Sequence, residues 1–323
     1  MAAPTLLADI GGTNARFALA QGGRLGPIVH LAVADFPEPA AAIRTFLSEH
    51  ARARPKMAVL AVAGPVEGPP GSERVHLTNG TWVVSAAALR TAFGLRMVRI
   101  VNDFAAIAWA VPRLAPRHLI TIGAGRAVRR APVAVLGPGT GLGMAAYLPD
   151  PRHPAVLVTE GGHATMPAVD EREARLIAHL RAEVGHVSIE RVLSGGGIEH
   201  LYGAIGAVEG LSAPVRDVAT ITGHALAGDC ALCVRTLETF CAMLGTVAGN
   251  VALTYGARGG VLFAGGIVPR FVDFLARSAF RSRFEAKGRM SAYVRAIPTR
   301  VVIHPDPAFL GLMELLRHLS SGR

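Results

Sequence analysis

Lysine is almost missing from this chain. Lys56 and Lys287 are the only two among 33 basic residues, and the arginines are scattered along the whole length. The net charge of +10 therefore gathers into no stripe interleaved with aromatics, which make up only 6% of the residues, so nucleic-acid binding is not expected. Cysteine is equally scarce. Cys230, Cys233 and Cys241 are too few and too clustered for a secreted disulfide framework, which points to a reducing compartment. Their C-x2-C spacing, with His224 nearby, raises zinc. However, residues 227–245 read as one continuous helix along which four ligands would not converge, so buried thiols are expected instead. The N-terminal MAAPTLLADIGG lacks a basic region and carries Asp9 inside its apolar run, so no targeting segment is expected. The uncharged stretches 131–149 and 241–257 are each interrupted by several glycines and read as core, not as membrane spans.

What is present is apolar. Hydrophobic residues reach 51% and charged ones only 17% over 323 residues, enough to offset ordering entropy and to build two domains. Three times a strand-like run ends in glycines: PTLLADIGGTNARFAL, PVAVLGPGTGLGMAAY and GGVLFAGGIVPRF. The first two share a Gly-Thr pair followed by further apolar residues, which predicts two β-hairpins and a faint internal repeat. Strands are expected at 57–63, 97–101 and 301–303. Helices are expected at 40–53, 105–110, 171–184, 198–207, 229–253, 270–276 and 308–319. Such alternation predicts an α/β protein. Two prolines in VPRLAP suggest a boundary after residue 110, giving a small domain of 1–110 rejoined by 302–323 and a large one of 111–301.

The glycine loops carry the first chemical signal. In Asp9-Ile10-Gly11-Gly12-Thr13, adjacent glycines let backbone N–H groups approach an anion, and Thr13 adds a hydroxyl. Asp9 would repel a phosphate unless Mg²⁺ lay between them, held directly or through water. Taken alone, this loop is better explained as an ordinary hairpin turn. The loop around Gly139-Thr140-Gly141 holds four glycines within Gly137 to Gly143, more than a structural turn requires. Neither loop has the Gly-Lys-Ser/Thr of a P-loop or the dinucleotide fingerprint opening a helix. Ser194-Gly195-Gly196-Gly197 and Gly265-Gly266 each lead into a predicted helix, where free N–H groups suit a nucleotide's ribose and base, or where glycine simply permits close packing.

Polar side chains supply the second signal. Asn102-Asp103 sits where a strand yields to a helix, offering an amide that can orient a hydroxyl and a carboxylate that can accept its proton, although Asp103 could equally be a helix cap. Glu160 and His163 bracket two glycines and could converge on sugar hydroxyls, and they are too few for a metal by themselves. Glu190 on its own reads as a surface charge.

Taken together and in order, LADIGGTNARFAL, LTNGTW, VNDFAAIA, LGPGTGLG, EGGHA, GHVSIERVLSGGG and FAGGIVPRF resemble the bacterial ATP-dependent glucokinase family. The resemblance runs from Leu6 to about His318. It implies a two-domain, ribonuclease H-like (actin/hexokinase-type) fold with an active-site cleft between domains, and transfer of the γ-phosphoryl of ATP to the 6-hydroxyl of D-glucose. Carried over by residue, Ala8, Asp9, Ile10, Gly11, Gly12, Thr13, Gly139, Thr140, Gly141, Gly265 and Gly266 would face ATP, with Asp9 serving Mg²⁺. Asn102, Asp103, Glu160, His163 and Glu190 would hold glucose, and Asp103 would be the general base. The resemblance also implies a cytoplasmic homodimer. Ala8 stands where the family often has glycine, Gly80 replaces a bulkier residue in LTNGTW, and the zinc-binding cysteine motif of the related repressor and kinase group is missing. A hexose kinase of other specificity and a non-catalytic sugar sensor on the same fold are the alternatives.

Overall fold

The computed structural model describes residues 3–50, 54–78 and 80–320. They form two compact units, Met1–Leu114 with Pro305–Arg323, and Ala115–His304.

In the first unit, β1 (Thr5–Ile10) turns into β2 (Asn14–Gln21), followed by β3 (Arg24–Leu25), β4 (Val29–Ala32), α1 (Pro39–Glu49), β5 (Met57–Val62), β6 (Arg74–His76), β7 (Val83–Ser85), α2 (Ala86–Phe93), β8 (Met97–Asn102) and α3 (Asp103–Trp109). The main sheet runs β3-β2-β1-β5-β8, with β4 also on β2. β1 is antiparallel to β2 and parallel to β5, which is parallel to β8. Every residue of β1 is buried, as a strand with both faces covered must be, which is why TLLADI is almost uniformly apolar. The helix Pro307–Ser320 returns to this unit and packs on α3, β1 and β5.

The second unit repeats the plan. It contains β9 (Leu119–Ile122), β10 (Val133–Pro138), β11 (Leu142–Leu148), β12 (Ala155–Thr159), α4 (Glu171–Val184), α5 (Ile189–Val192), α6 (Gly195–Glu209), α7 (Val218–Ala227), α8 (Ala231–Thr254), β13 (Gly260–Phe263), α9 (Val272–Arg277), α10 (Phe280–Glu285), α11 (Ser291–Arg295) and β14 (Thr299–Val302). The helix Pro307–Ser320 is then α12. The sheet order is β12-β11-β10-β13-β14-β9. An antiparallel hairpin, β10 with β11, is again followed by two parallel neighbours, β13 and β14. The loops 11–13 and 139–141 thus occupy equivalent places in a duplicated sheet.

Several expected elements differ in detail. The helix expected at 227–245 is interrupted: Gly228 takes a left-handed conformation that ends α7, and α8 begins only after Cys230. The helix expected at 40–53 ends at Glu49, and residues 51–53 lie outside the described residues. Gly265-Gly266 leads first into a 3-10 turn, Val268–Phe271, and only then into α9. Among the described residues, α8 is the one helix long and apolar enough to cross a membrane, yet 72% of its apolar window is buried inside the protein. It is the central helix of the second unit, packed against α6, α7 and α10.

Candidate active site

In the first unit the β1–β2 turn is fixed by its own backbone: the Gly11 N–H donates to the Asn14 carbonyl at 2.9 Å, and the Val33 N–H donates to the Thr13 carbonyl at 2.9 Å. Thr13 is exposed at its tip. Asp9 is buried at the end of β1, directly opposite Arg16 in the hairpin register. Arg16 Nη2 lies 2.6 Å from Asp9 Oδ2, and Nη1 donates to Asp306 Oδ1 at 3.1 Å. Burial raises the Asp9 pKa above the ordinary carboxylate value, Arg16 opposes this, and Asp306 adds to the rise while His30 lowers it. The side chains of Ala8 and Ile10 are fully buried in the core on β1.

Asn102 and Asp103 have different local duties. Asn102 caps α3, its Oδ1 accepting from the N–H groups of Phe104 at 2.9 Å and Ala105 at 3.2 Å, while Nδ2 donates to the Gly64 carbonyl at 3.2 Å. The cap is therefore the asparagine, and not Asp103 as one sequence alternative allowed. Asp103 is the first residue of α3, where the helix dipole favours a negative charge. Its Oδ1 accepts the Phe104 N–H at 3.0 Å. In LTNGTW, Trp82 is anchored through Nε1 to the Phe36 carbonyl at 3.0 Å, and Asn79 lies outside the described residues.

In the second unit three glycine segments converge on the end of β10. The Gly139 N–H donates to the Gly141 carbonyl at 2.8 Å, and the Gly139 carbonyl accepts the Gly195 N–H at 2.8 Å. Gly195 begins α6, which Ser194 caps through the Gly197 N–H at 3.1 Å. Gly265, at φ +90°, packs against Pro138, where a Cβ would come within 2.8 Å of the carbonyl oxygen. Thr140, between these glycines, is exposed, and so is Gly266.

Beside this surface lies a polar cluster. His163 Nε2 is 3.8 Å from Glu160 Oε2, and His163 Nδ1 is 4.0 Å from Glu190 Oε1. The His163 and Glu160 side chains are 59% and 58% exposed, and Glu190 is 32% exposed. These separations are too long for direct hydrogen bonds, so the outward-facing atoms remain available to hydroxyl groups. Glu190 is more than the surface charge that its sequence context suggested: its Oε2 accepts the Leu142 N–H at 2.7 Å, and a Cβ at Gly141 would run into its carboxylate. The same carboxylate thus holds the glycine loop and faces the histidine. The turn carrying His163 is held by Thr159, whose Oγ1 accepts the Gly161 N–H at 3.2 Å and lies 3.1 Å from the Tyr255 hydroxyl.

Sequence reasoning missed Arg16, Asp306, Thr159 and Tyr255. Only Arg16 had a readable signal, because a three-residue turn after Ile10 sets it opposite Asp9. Among the described residues no group of three or more His, Cys, Asp or Glu side chains could hold a metal ion. A metal at Asp9 would therefore need most of its ligands from phosphate oxygens and water.

Comparison with known proteins shows the family and the fold. The family model for glucokinase matches residues 6–319. A glucokinase from Paramagnetospirillum magneticum is 48% identical over 320 residues, covering 98% of each chain. The crystal structure of a glucokinase from an Antarctic psychrotroph superposes with a TM-score of 0.87 at 41% identity, covering 98% of this chain and 100% of the other. A ROK family glucokinase from Streptomyces griseus, solved in complex with glucose and AMPPNP, shares the fold at 17% identity with a TM-score of 0.65, over 98% of this chain and 99% of its own. The duplicated sheets are the actin-type sugar kinase fold, and the chain belongs to the glucokinase family.

Proposed function

We propose that this member of the glucokinase family transfers the γ-phosphoryl group of ATP to the 6-hydroxyl of D-glucose, with Asp103 as general base. The observation that carries the reading is the cluster of Glu160, His163 and Glu190, which presents hydrogen-bonding atoms to solvent without forming a metal site. Glucose offers several hydroxyls that can both donate and accept, and carboxylates and an imidazole are suited to orient them. Asp103 accepts the proton of the 6-hydroxyl as its oxygen bonds to the γ-phosphorus and the bond to the leaving ADP breaks. The glycine loops at 11–13 and 139–141, with the start of α6, offer backbone N–H groups to phosphate oxygens. Asp9 is the residue that would meet the hydration shell of a Mg²⁺ bound with the nucleotide, and that ion would supply neutralisation of the phosphate charge. The reading extends to a cytoplasmic homodimer, which the family resemblance supports and sedimentation of the purified protein checks.

A coupled assay with a panel of sugars against ATP, ADP and polyphosphate tests the reading. Glucose with ATP is expected to give the highest kcat/KM, and another preferred pair would replace it. Glu160→Gln and His163→Ala are each expected to raise KM for glucose about tenfold, comparable to losing one charge-assisted hydrogen bond. An effect confined to KM for ATP would remove both residues from the sugar.

Asp9→Asn separates binding from stability. Affinity for Mg·ATP is expected to fall about 10- to 100-fold, as it does when a metal's outer partner is lost. Stability behaves differently. As pH rises from the ordinary value of 3.8 through the raised one, the unfolded chain has released the Asp9 proton while the folded chain still holds it, so stability declines across that window. Asparagine removes the decline, and Arg16 keeps Asp306 as a partner. Urea midpoints measured against pH should therefore be flatter for the variant, and a steeper fall toward alkaline pH would contradict the assignment.

A further inference from the structure

The thiols at the start of α8 take no part in the reaction above. Cys230 immediately precedes Ala231, the first residue of α8, and Cys233 lies in its first turn. The break at Gly228 lets the chain enter α8 so that both sulfurs meet one guanidinium: Arg216 Nη1 donates to Cys230 Sγ at 3.4 Å and to Cys233 Sγ at 3.2 Å. The ring of Tyr202 lies 5.9 Å from the Arg216 guanidinium carbon. Neutral thiols are weak acceptors, so a guanidinium shared by two of them gains most when one is a thiolate. The two sulfurs are unequal in access, Cys230 being half-buried and Cys233 buried. The Cys233 backbone N–H, then its thiol, together with Arg216, hold Cys230 below the ordinary thiol range against the effect of burial, while burial pushes Cys233 up to about 11. A zinc site does not compete, because among the described residues no group of three or more His, Cys, Asp or Glu side chains could hold a metal ion.

We infer that Cys230 and Cys233 are a reversible redox pair, in which Cys230 reduces small hydroperoxides and Cys233 resolves the product as an intramolecular disulfide. The Cys230 thiolate attacks the terminal oxygen of the hydroperoxide, the O–O bond breaks, and the alcohol leaves with a proton from solvent. Cys230 is then a sulfenic acid. The Cys233 sulfur, losing its proton, attacks Cys230 Sγ, the S–O bond breaks, and hydroxide leaves with that proton as water. Two thiols and one hydroperoxide give one disulfide, one alcohol and one water, a two-electron exchange that an external dithiol reverses.

The test is treatment of the full-length protein with one equivalent of hydrogen peroxide, followed by intact mass and peptide mapping. The wild type and Cys241→Ser are expected to lose two hydrogens, to yield a linked Cys230–Cys233 peptide, and to recover both hydrogens with dithiothreitol. Cys233→Ser should stop at a Cys230 sulfenic acid trapped by dimedone, and Cys230→Ser should react many-fold more slowly. Arg216→Met, with folding checked by circular dichroism, should slow the Cys230 reaction several-fold. Retention of all three thiols, a disulfide between two chains, a Cys230→Ser rate equal to wild type, or an unchanged rate in Arg216→Met would each overturn the inference.

Discussion

Asp103→Asn is expected to lower kcat by about 10²- to 10⁴-fold, the usual contribution of a general base, while leaving the fold intact. The expectation follows from what each atom does. Asn102, and not Asp103, caps α3, so the helix start survives the change. The Phe104 N–H that now donates to Asp103 Oδ1 finds the same acceptor oxygen on asparagine. What disappears is the ability to take up a proton. KM for glucose should move little, because the amide still accepts a hydrogen bond from a hydroxyl. Steady-state kinetics and a urea midpoint, measured on one preparation, separate the outcomes. Near-native turnover would sink the role of Asp103, and a large drop in midpoint would show a structural role instead.

Gly311→Ala tests how Asp103 is positioned from a distance. Gly311 lies on α12 where that helix presses on α3, and a Cβ there would land on the carbonyl oxygen of Ala106. Neither partner is a flexible side chain that could turn aside. The helices must separate, at a cost of about 1–3 kcal/mol or more, typical of overpacking. Because α3 also carries Asp103, its shift should reduce kcat as well. A misplacement of about 1 Å can lower the rate about 100-fold. The variant should therefore lose both urea midpoint and turnover, although residue 311 contacts no substrate in the proposed reaction. A variant with native stability and native kcat would show that α12 can be moved without disturbing the base.

These two cases show where sequence reasoning succeeded and where it ran out. The hairpins around Gly11-Gly12 and Gly139-Gly141 were legible because apolar strand residues stop abruptly at glycines, a local signal. Helix α4 was legible at both ends, since Asp170 caps its start and Gly185 follows its last residue. Helix α2 was not singled out, because AAALRTAF is short and its small residues show little periodicity. β12 was missed for a related reason: Leu157 and Val158 in this edge strand are 43% and 53% exposed, so the run lacks a clean buried face. The interruption between α7 and α8 was hidden by apolar residues on both sides, despite Gly228 and Asp229. That error mattered for placement, because Cys230 stands at the start of α8 instead of inside a continuous helix. The contact between Gly311 and Ala106 joins segments far apart in the chain, and no local pattern announces it. Glu190 shows the same limit, for its hold on Leu142 depends on two loops brought together only by folding.

The placement of α12 also bears on how the protein is made. β1, β5 and α3 leave the ribosome first, yet the helix that covers them follows only after the whole of residues 115–304. The first unit must therefore wait on the nascent chain with apolar surface open to solvent, while the second can mature without interruption. Chaperone dependence and loss of yield under rapid expression should concentrate in that first unit. Truncation before α12 would harm the beginning of the protein more than the middle.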